Sequence, residues 1–267
     1  MTLGKNLSKL RRERGLTQEE LSARLHVSPQ AVSRWETEQT TPDLSMLSLL
    51  ADELGVSLDQ LCGHAAKPLT PYEQWYRTDD YYWGTKPSSL CLMLLRLLPP
   101  GEKPVRVLDI GCGEGKDAVF LARCGYRVTA FDLAPSGIEK LNRLAQRAGV
   151  QVEAFCADVN HFRLTQTYDV LFSSGVLHYI RPENRAEIMK NWQSHTAPGG
   201  LNLFNVFVEK PFIAPPPEQE ESHPWKSGEL FRYYADWRFE HMEEKIFDCL
   251  SSGIPHQHAM DVMAARR

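Results

Sequence analysis

Apolar positions change their spacing part-way along this chain. Over residues 1–62 they recur every three to four residues, at Leu7, Leu10, Leu21, Leu25, Val32, Trp35, Leu47, Leu50 and Leu54, with polar residues between them. That period predicts short amphipathic helices joined by tight turns, without strands. From Val105 onward the apolar residues come in short continuous runs, Val105 to Ile110, Val128 to Phe131, Val152 to Phe155, Val170 to Phe172 and Leu201 to Val208, separated by helical stretches. Such runs are strands buried on both faces, so the alternation predicts a mostly parallel α/β sheet with helices on either side. Residues 1–63 are read as a small all-α domain, 64–70 as a linker and 71–267 as the second domain. Pro211 to Pro217, followed by Glu218 to Glu221, are expected to form a surface loop or lid.

Local signals sharpen the first domain. Thr17 and Glu20 have the spacing of a capping box, so a helix starts at about Gln18. It turns at His26-Val27 and restarts at Ser28-Pro29, where serine suits the N-cap and proline the first helical position. Helix, short turn, helix is a DNA-reading unit whose second helix enters the major groove. Charge locates its face. The chain carries a net −4, but residues 1–34 hold Lys5, Lys9, Arg11, Arg12, Arg14, Arg24 and Arg34, whereas residues 35–62 hold six carboxylates and no Lys or Arg. A DNA-facing surface is therefore expected in the first half of the small domain. The six cysteines show no Cys-x-x-Cys pair, which suits reduced thiols and gives no zinc cluster. No apolar stretch is long enough to cross a bilayer and Met1 leads into a polar segment, so no membrane is expected and a cytoplasmic location is.

The segment Leu16 to Ser22 together with Ser33-Arg34-Trp35-Glu36 resembles the Cro-like phage-repressor family of helix-turn-helix domains. That resemblance implies double-stranded DNA as a partner, with Gln18 and Arg34 on phosphates and Gln30 and Ser33 facing bases. It also implies a homodimer reading two half-sites. The small domain's own net charge is −2, which leaves open a role as a dimerisation or partner module instead.

Val105 to Gly115 is an apolar strand running into a glycine-rich turn, with a helix over Lys116 to Arg123 and Gly125 as its stop. Glycines there let the backbone approach a nucleotide. The spacing disfavours nicotinamide dinucleotides, because Lys116 stands where the third glycine of Gly-x-Gly-x-x-Gly belongs. The stretch resembles motif I of the class I S-adenosylmethionine methyltransferases. The resemblance implies a Rossmann-like, seven-stranded, mostly parallel sheet with a C-terminal antiparallel hairpin, and S-adenosyl-L-methionine as cofactor, with S-adenosyl-L-homocysteine as product. It assigns Asp109, Gly111, Cys112, Gly113 and Gly115 to the cofactor. Asp132, with Leu133 beside it, would take the ribose hydroxyls, Asp158, with Val159, the adenine amino group, and Ser174 would face the methyl.

Trp225 to Trp237 and the closing Met263 to Arg267 look like the tellurite-resistance methyltransferase family. By that resemblance a Gly-Glu-Leu helix caps the active site and a strand hairpin brings polar residues over the methyl. The hairpin departs from the tellurite enzymes in offering Cys249, His256 and His258. His256 and His258, two apart on a strand, face the same way and could serve an anion, a thiol or a metal, or be ordinary polar residues; no metal is assigned. Tyr72, Trp75, Tyr76, Tyr81, Tyr82 and Trp83 precede the first strand and suit a lid over a sulfonium. Tyr82, Trp83 and His178 are the candidate contacts there, joined by His256 and His258 on the acceptor side. There is no Asn-Pro-Pro-Tyr or Asp-Pro-Pro-Tyr, the tetrapeptide of base-nitrogen methylation, so a small acceptor is favoured, such as tellurite, selenite or a thiol. Two competing readings are a transcriptional regulator that senses S-adenosylmethionine or S-adenosylhomocysteine with little turnover, and a DNA methyltransferase.

Overall fold

In the computed structural model, which describes residues 2–62, 70–214, 222–249 and 255–267, five helices occupy the first part of the chain. They are α1 (Leu3–Glu13), α2 (Gln18–Arg24), α3 (Pro29–Glu36), α4 (Leu44–Leu54) and α5 (Leu58–Leu61). The chain divides into two units, residues 1–69 and 70–267. Apart from Thr70, the expected linker lies outside the described residues, as do residues 215–221 of the Pro-rich run.

The capping box forms as the spacing required: Thr17 Oγ1 accepts from Glu20 N at 3.1 Å, and Glu20 Oε2 accepts from Thr17 N at 2.7 Å. Ser28 caps α3 with Pro29 as its first residue, and His26 takes the left-handed turn between α2 and α3 at φ 56°. Leu7, Leu21, Leu25, Val32, Leu50, Ala51, Leu54 and Leu61 bury together as this unit's core. One basic residue departs from the expected DNA face. Arg11 points inward: its Nε and Nη2 donate to the Glu36 oxygens at 2.6 and 3.0 Å, with the side chains 8% and 5% exposed. A charge buried that far requires a partner, and Glu36 is the acid α3 supplies.

The second unit runs α6 (Tyr72–Tyr76), α7 (Ser89–Leu97), β1 (Arg106–Ile110), α8 (Lys116–Arg123), β2 (Arg127–Asp132), α9 (Pro135–Ala148), β3 (Val152–Cys156), β4 (Tyr168–Ser173), α10 (Pro182–Ser194), β5 (Thr196–Val208), α11 (Glu229–Tyr233), β6 (Arg238–Cys249) and β7 (His256–Arg266). One seven-stranded sheet results, in the order β3-β2-β1-β4-β5-β7-β6. β1 to β5 are parallel, and β7 runs antiparallel to both β5 and β6. The period of two divides each strand between two cores. Leu108, Ile110, Leu171, Phe204, Val206 and Met263 pack with Ile188, Met189 and Trp192 of α10, while Val107, Val170, Phe172, Leu203 and Val262 pack with Leu90, Leu94, Leu121 and Leu141 of α7, α8 and α9. Both faces are thus covered, which is why the central strands read as unbroken apolar runs. The six cysteines are free thiols. Among the described residues, no helix is long and apolar enough to cross a membrane.

Candidate functional site

The sheet order reverses beside β1, which pairs with β2 on one side and β4 on the other. In open parallel sheets that reversal leaves a crevice at the carboxyl ends of the strands, where ligands bind. Asp109 on β1, Asp132 at the end of β2, Asp158 after β3 and Ser174 after β4 all lie at those ends. The glycine turn follows β1. Gly111, Gly113 and Gly115 have φ of 71°, 53° and 86°, and a methyl group at Gly111 or Gly115 would run into Val176 or Leu141. Gly111 N and Cys112 N donate to Phe131 O at 2.8 and 3.0 Å, fastening the turn to β2.

Asp109 is 2% exposed, and its Oδ2 has no hydrogen-bond partner. Burial, followed by the neighbouring Asp117 and Asp132 carboxylates, pushes its carboxyl well above the usual range. A buried carboxylate oxygen without a partner is costly, and it suits a cationic ligand that would satisfy it. Asp132 is partly buried and already engaged. Its Oδ2 accepts from Gly113 N at 2.8 Å and its Oδ1 from Ala134 N at 2.9 Å; burial raises its carboxyl while these amides counteract. Asp158 is held by its own turn, accepting from Asn160 N at 2.8 Å and meeting His161 Nδ1 at 2.8 Å. Of the other residues assigned to a cofactor, Cys112 and Val159 bury their side chains in the two cores. Leu133 is half-buried, and Ser174 Oγ accepts from Asn205 Nδ2 at 3.3 Å.

Residues 70–88 fold over the glycine turn. Tyr76 is buried, its hydroxyl accepts from Trp83 Nε1 at 3.0 Å, and a methyl at Gly113 would lie 3.0 Å from that hydroxyl. Tyr72 and Tyr179 join hydroxyls at 2.9 Å, and Trp75 stacks on Tyr82 at 4.8 Å. Tyr82 and Trp83 are 37% and 42% exposed, so this aromatic cover keeps an outer surface. Three clamps fasten it that the chain's patterning did not signal. Glu73 is buried and accepts from Ser136 Oγ at 2.8 Å. Lys140 Nζ donates to Glu114 Oε1 and to Asp80 O, and Trp83 N donates to Glu114 Oε2 at 3.2 Å. Ser88 N donates to Asp117 Oδ1 at 2.6 Å.

On the β4 side, His178 is 1% exposed, with its ring 4.3 Å from Tyr179 and 4.7 Å from Phe207. Neither ring nitrogen has a partner, and burial followed by repulsion from His258 pushes its pKa down to about 3. Asp109 and His178 therefore supply three of the four unpartnered buried side-chain atoms found among the described residues. His258 is buried too, stacked on Phe207 at 4.4 Å, and His256 Nε2 lies 2.9 Å from its Nε2. The helix α11 is tied to α10 by the Arg185–Glu229 pair at 3.0 Å.

In the first unit, Gln30 and Arg34 are exposed and Ser33 half-buried on one side of α3, while Val32 faces the core. Gln18 Nε2 donates to Glu36 Oε2 at 2.8 Å, which draws it toward the buried Arg11 pair.

Residues 97–251 match the tellurite resistance protein TehB family, and residues 7–61 match the helix-turn-helix family. The chain belongs to the TehB family. The TehB match falls within the second unit and the helix-turn-helix match within the first. Curated relatives include the probable S-adenosyl-L-methionine-dependent methyltransferase TehB of Haemophilus influenzae strain 10810, 31% identical over 54% of this chain and 49% of that protein. Hemagglutinin 1 of Eikenella corrodens is 34% identical over 54% of this chain and 47% of that protein. The chain thus spans about half the length of the curated relatives it matches. The crystal structure of TehB from Haemophilus influenzae superposes with a TM-score of 0.61 at 25% identity, over 73% of this chain and 65% of that one. A Burkholderia thailandensis 1,6-didemethyltoxoflavin-N1-methyltransferase, 22% identical with a TM-score of 0.54 over 73% of this chain and 83% of that one, shares the fold.

Proposed function

We propose that the TehB domain transfers a methyl group from S-adenosylmethionine to a small, soft nucleophile, such as a tellurium or selenium oxyanion or a thiol, and that the helix-turn-helix domain binds operator DNA as a homodimer. The observation that carries the reading is Asp109, buried at the end of β1 beside the glycine turn with one oxygen unpartnered. The amino group of the cofactor's methionine portion is the cation that oxygen suits. In this reading glycines 111, 113 and 115 would admit the nucleotide against the backbone, Asp132 would take the ribose diol and Asp158 the adenine edge.

When bound, S-adenosylmethionine would supply an electrophilic methyl on a sulfonium sulfur, which an acceptor's lone pair would take in line while the carbon–sulfur electrons stay with the departing sulfur. The protein's part is orientation and exclusion of water. Tyr72, Tyr76 and Trp83 close the glycine turn from one side, and their faces suit a sulfonium charge. In this reading His178, neutral and unpartnered, would hydrogen-bond the acceptor, with Tyr82, His256 and His258 as the remaining candidate contacts. A soft acceptor needs little deprotonation at neutral pH, so a strong base is not required.

Conversion of S-adenosylmethionine to S-adenosylhomocysteine by the purified chain tests the reading, across tellurite, selenite, small thiols and duplex DNA, with Asp109→Ala as blank. Turnover on a small acceptor that vanishes in the variant supports it. Tight cofactor binding with no turnover on any acceptor replaces it with a sensor that regulates transcription, and turnover on DNA alone replaces it with a DNA methyltransferase.

A further inference from the structure

We infer that Cys249, His256 and His258 form a three-ligand site for zinc(II) on the C-terminal hairpin. The register of β6 and β7 sets Cys249 directly across from His256. Side chains two apart on a strand share a face, so His258 lies on the same side as both. Sγ of Cys249 and a nitrogen from each histidine all lie within 4.8 Å of one another, and His256 Nε2 is 2.9 Å from His258 Nε2 with the rings at 83°.

A tetrahedral zinc ion with bonds of about 2.0–2.3 Å separates its ligand atoms by roughly 3.3–3.6 Å. The nitrogens would have to part by a few tenths of an ångström and the sulfur, at most 4.8 Å from them, approach by no more than about 1 Å. Cys249 and His256 are half-buried. One thiolate and two imidazoles are the wrong donors for magnesium or calcium, which take oxygen, and the right ones for zinc. Three protein ligands leave the fourth position open, as in catalytic zinc sites. The surroundings strengthen the bonds: Phe207 stacks on His258 at 4.4 Å and Phe247 lies 5.7 Å away, so water is largely kept from one side. Phe207 also touches His178 at 4.7 Å, which puts the site next to the histidine assigned to the acceptor.

The test uses the full chain, stripped with a chelator and titrated with zinc(II) against a chromophoric competitor, then substituted with cobalt(II). The wild type should take up one equivalent tightly, and cobalt(II) should give the intense thiolate charge-transfer band. Cys249→Ser should lose that band, and His256→Ala should weaken zinc binding by more than about tenfold. Both positions are half-buried, so both variants should melt like the wild type and bind S-adenosylmethionine unchanged, which separates this site from the cofactor site. No zinc uptake by the wild type, or uptake and cobalt spectrum unaltered by either substitution, overturns the inference.

Discussion

Lys140 Nζ lies 2.7 Å from Glu114 Oε1, and the two side chains are only 2% and 1% exposed. The pair joins α9 to the glycine turn, and through Asp80 O and Trp83 N it also holds the aromatic cover. Breaking one half of a buried ion pair strands the other charge, at a cost of about 3–5 kcal/mol, whereas replacing both with apolar or neutral groups is far milder. Lys140→Met is therefore expected to destabilise the TehB domain by that amount in urea unfolding. The double variant Lys140→Met with Glu114→Gln should recover most of it. Equal loss in the single and double variants would mean the pair contributes only through packing.

Asp109 poses the opposite balance. Its carboxyl is pushed well above the usual range by burial and by Asp117 and Asp132, so an ionised Asp109 costs the ligand-free fold. Asp109→Asn should leave the ligand-free protein as stable or more so, yet weaken S-adenosylmethionine binding by at least about tenfold, near 1.4 kcal/mol. A cationic ligand favours the carboxylate, so wild-type affinity should rise with pH above the ordinary carboxylate range. Isothermal titration at several pH values checks both; a wild-type profile as flat as that of the asparagine variant would remove Asp109 from the site.

Gly137 is a helix residue that looks replaceable. Alanine is the better helix former by about 1 kcal/mol. A methyl there, however, would stand 2.8 Å from Gly113 O, a backbone atom of the glycine turn, and 3.1 Å from the Tyr76 ring. The turn must move, so Gly137→Ala is expected to lower cofactor affinity several-fold while circular dichroism stays the same. Unchanged affinity would show that the turn yields freely.

Much of this organisation is legible in the chain because it is written in local chemistry. Thr17 and Ser28 start helices through their own side chains, and Leu108, Leu171 and Phe204 mark strands buried on both faces. β6 is harder to read, since an edge strand keeps Glu240, Glu243, Glu244 and Lys245 and lacks an apolar run. β5 starts at Thr196, ahead of the apolar run at Leu201, and its first residues include Pro198, Gly199 and Gly200, which carry no apolar signal. The site shows the same division. Asp109 and the glycines announce themselves by spacing. Lys140 and Glu73 do not, because a charged residue on a helix reads as solvated until a partner distant in sequence buries it. Arg11 misleads in the same way, counted among surface cations while it sits inside.

That distinction can be measured on DNA. Arg34 is exposed on α3, so Arg34→Ala should weaken binding to every duplex and reduce the salt slope by about 1. Gln30→Ala should relax preference at one base pair, by about 1–3 kcal/mol. Arg11→Ala should instead unfold the small domain by orphaning Glu36. Fluorescence anisotropy over a salt series, with a duplex selected from a random pool, separates the three. A salt slope untouched by Arg34→Ala would take α3 off the phosphates and favour the partner-module reading of this domain.

Asp261 on β7 gives a prediction in pH. Its Oδ2 accepts from Gly228 N at 2.8 Å, its Oδ1 has no partner, and burial followed by Glu244 raises its pKa from 3.8 to about 6. The folded chain holds this proton more tightly than the unfolded one does. Between pH 4 and 6 the unfolded state therefore loses it first, and stability falls as pH rises through that window. Above pH 6 the full penalty is present, at most about 3 kcal/mol for a shift of roughly two pH units. Asp261→Asn keeps an acceptor for Gly228 N and cannot ionise. The variant should melt with the wild type at pH 4 and above it at pH 7, the gap opening between those values. A gap that is constant with pH would assign the difference to packing and mean that Asp261 ionises alike in the folded and unfolded chain.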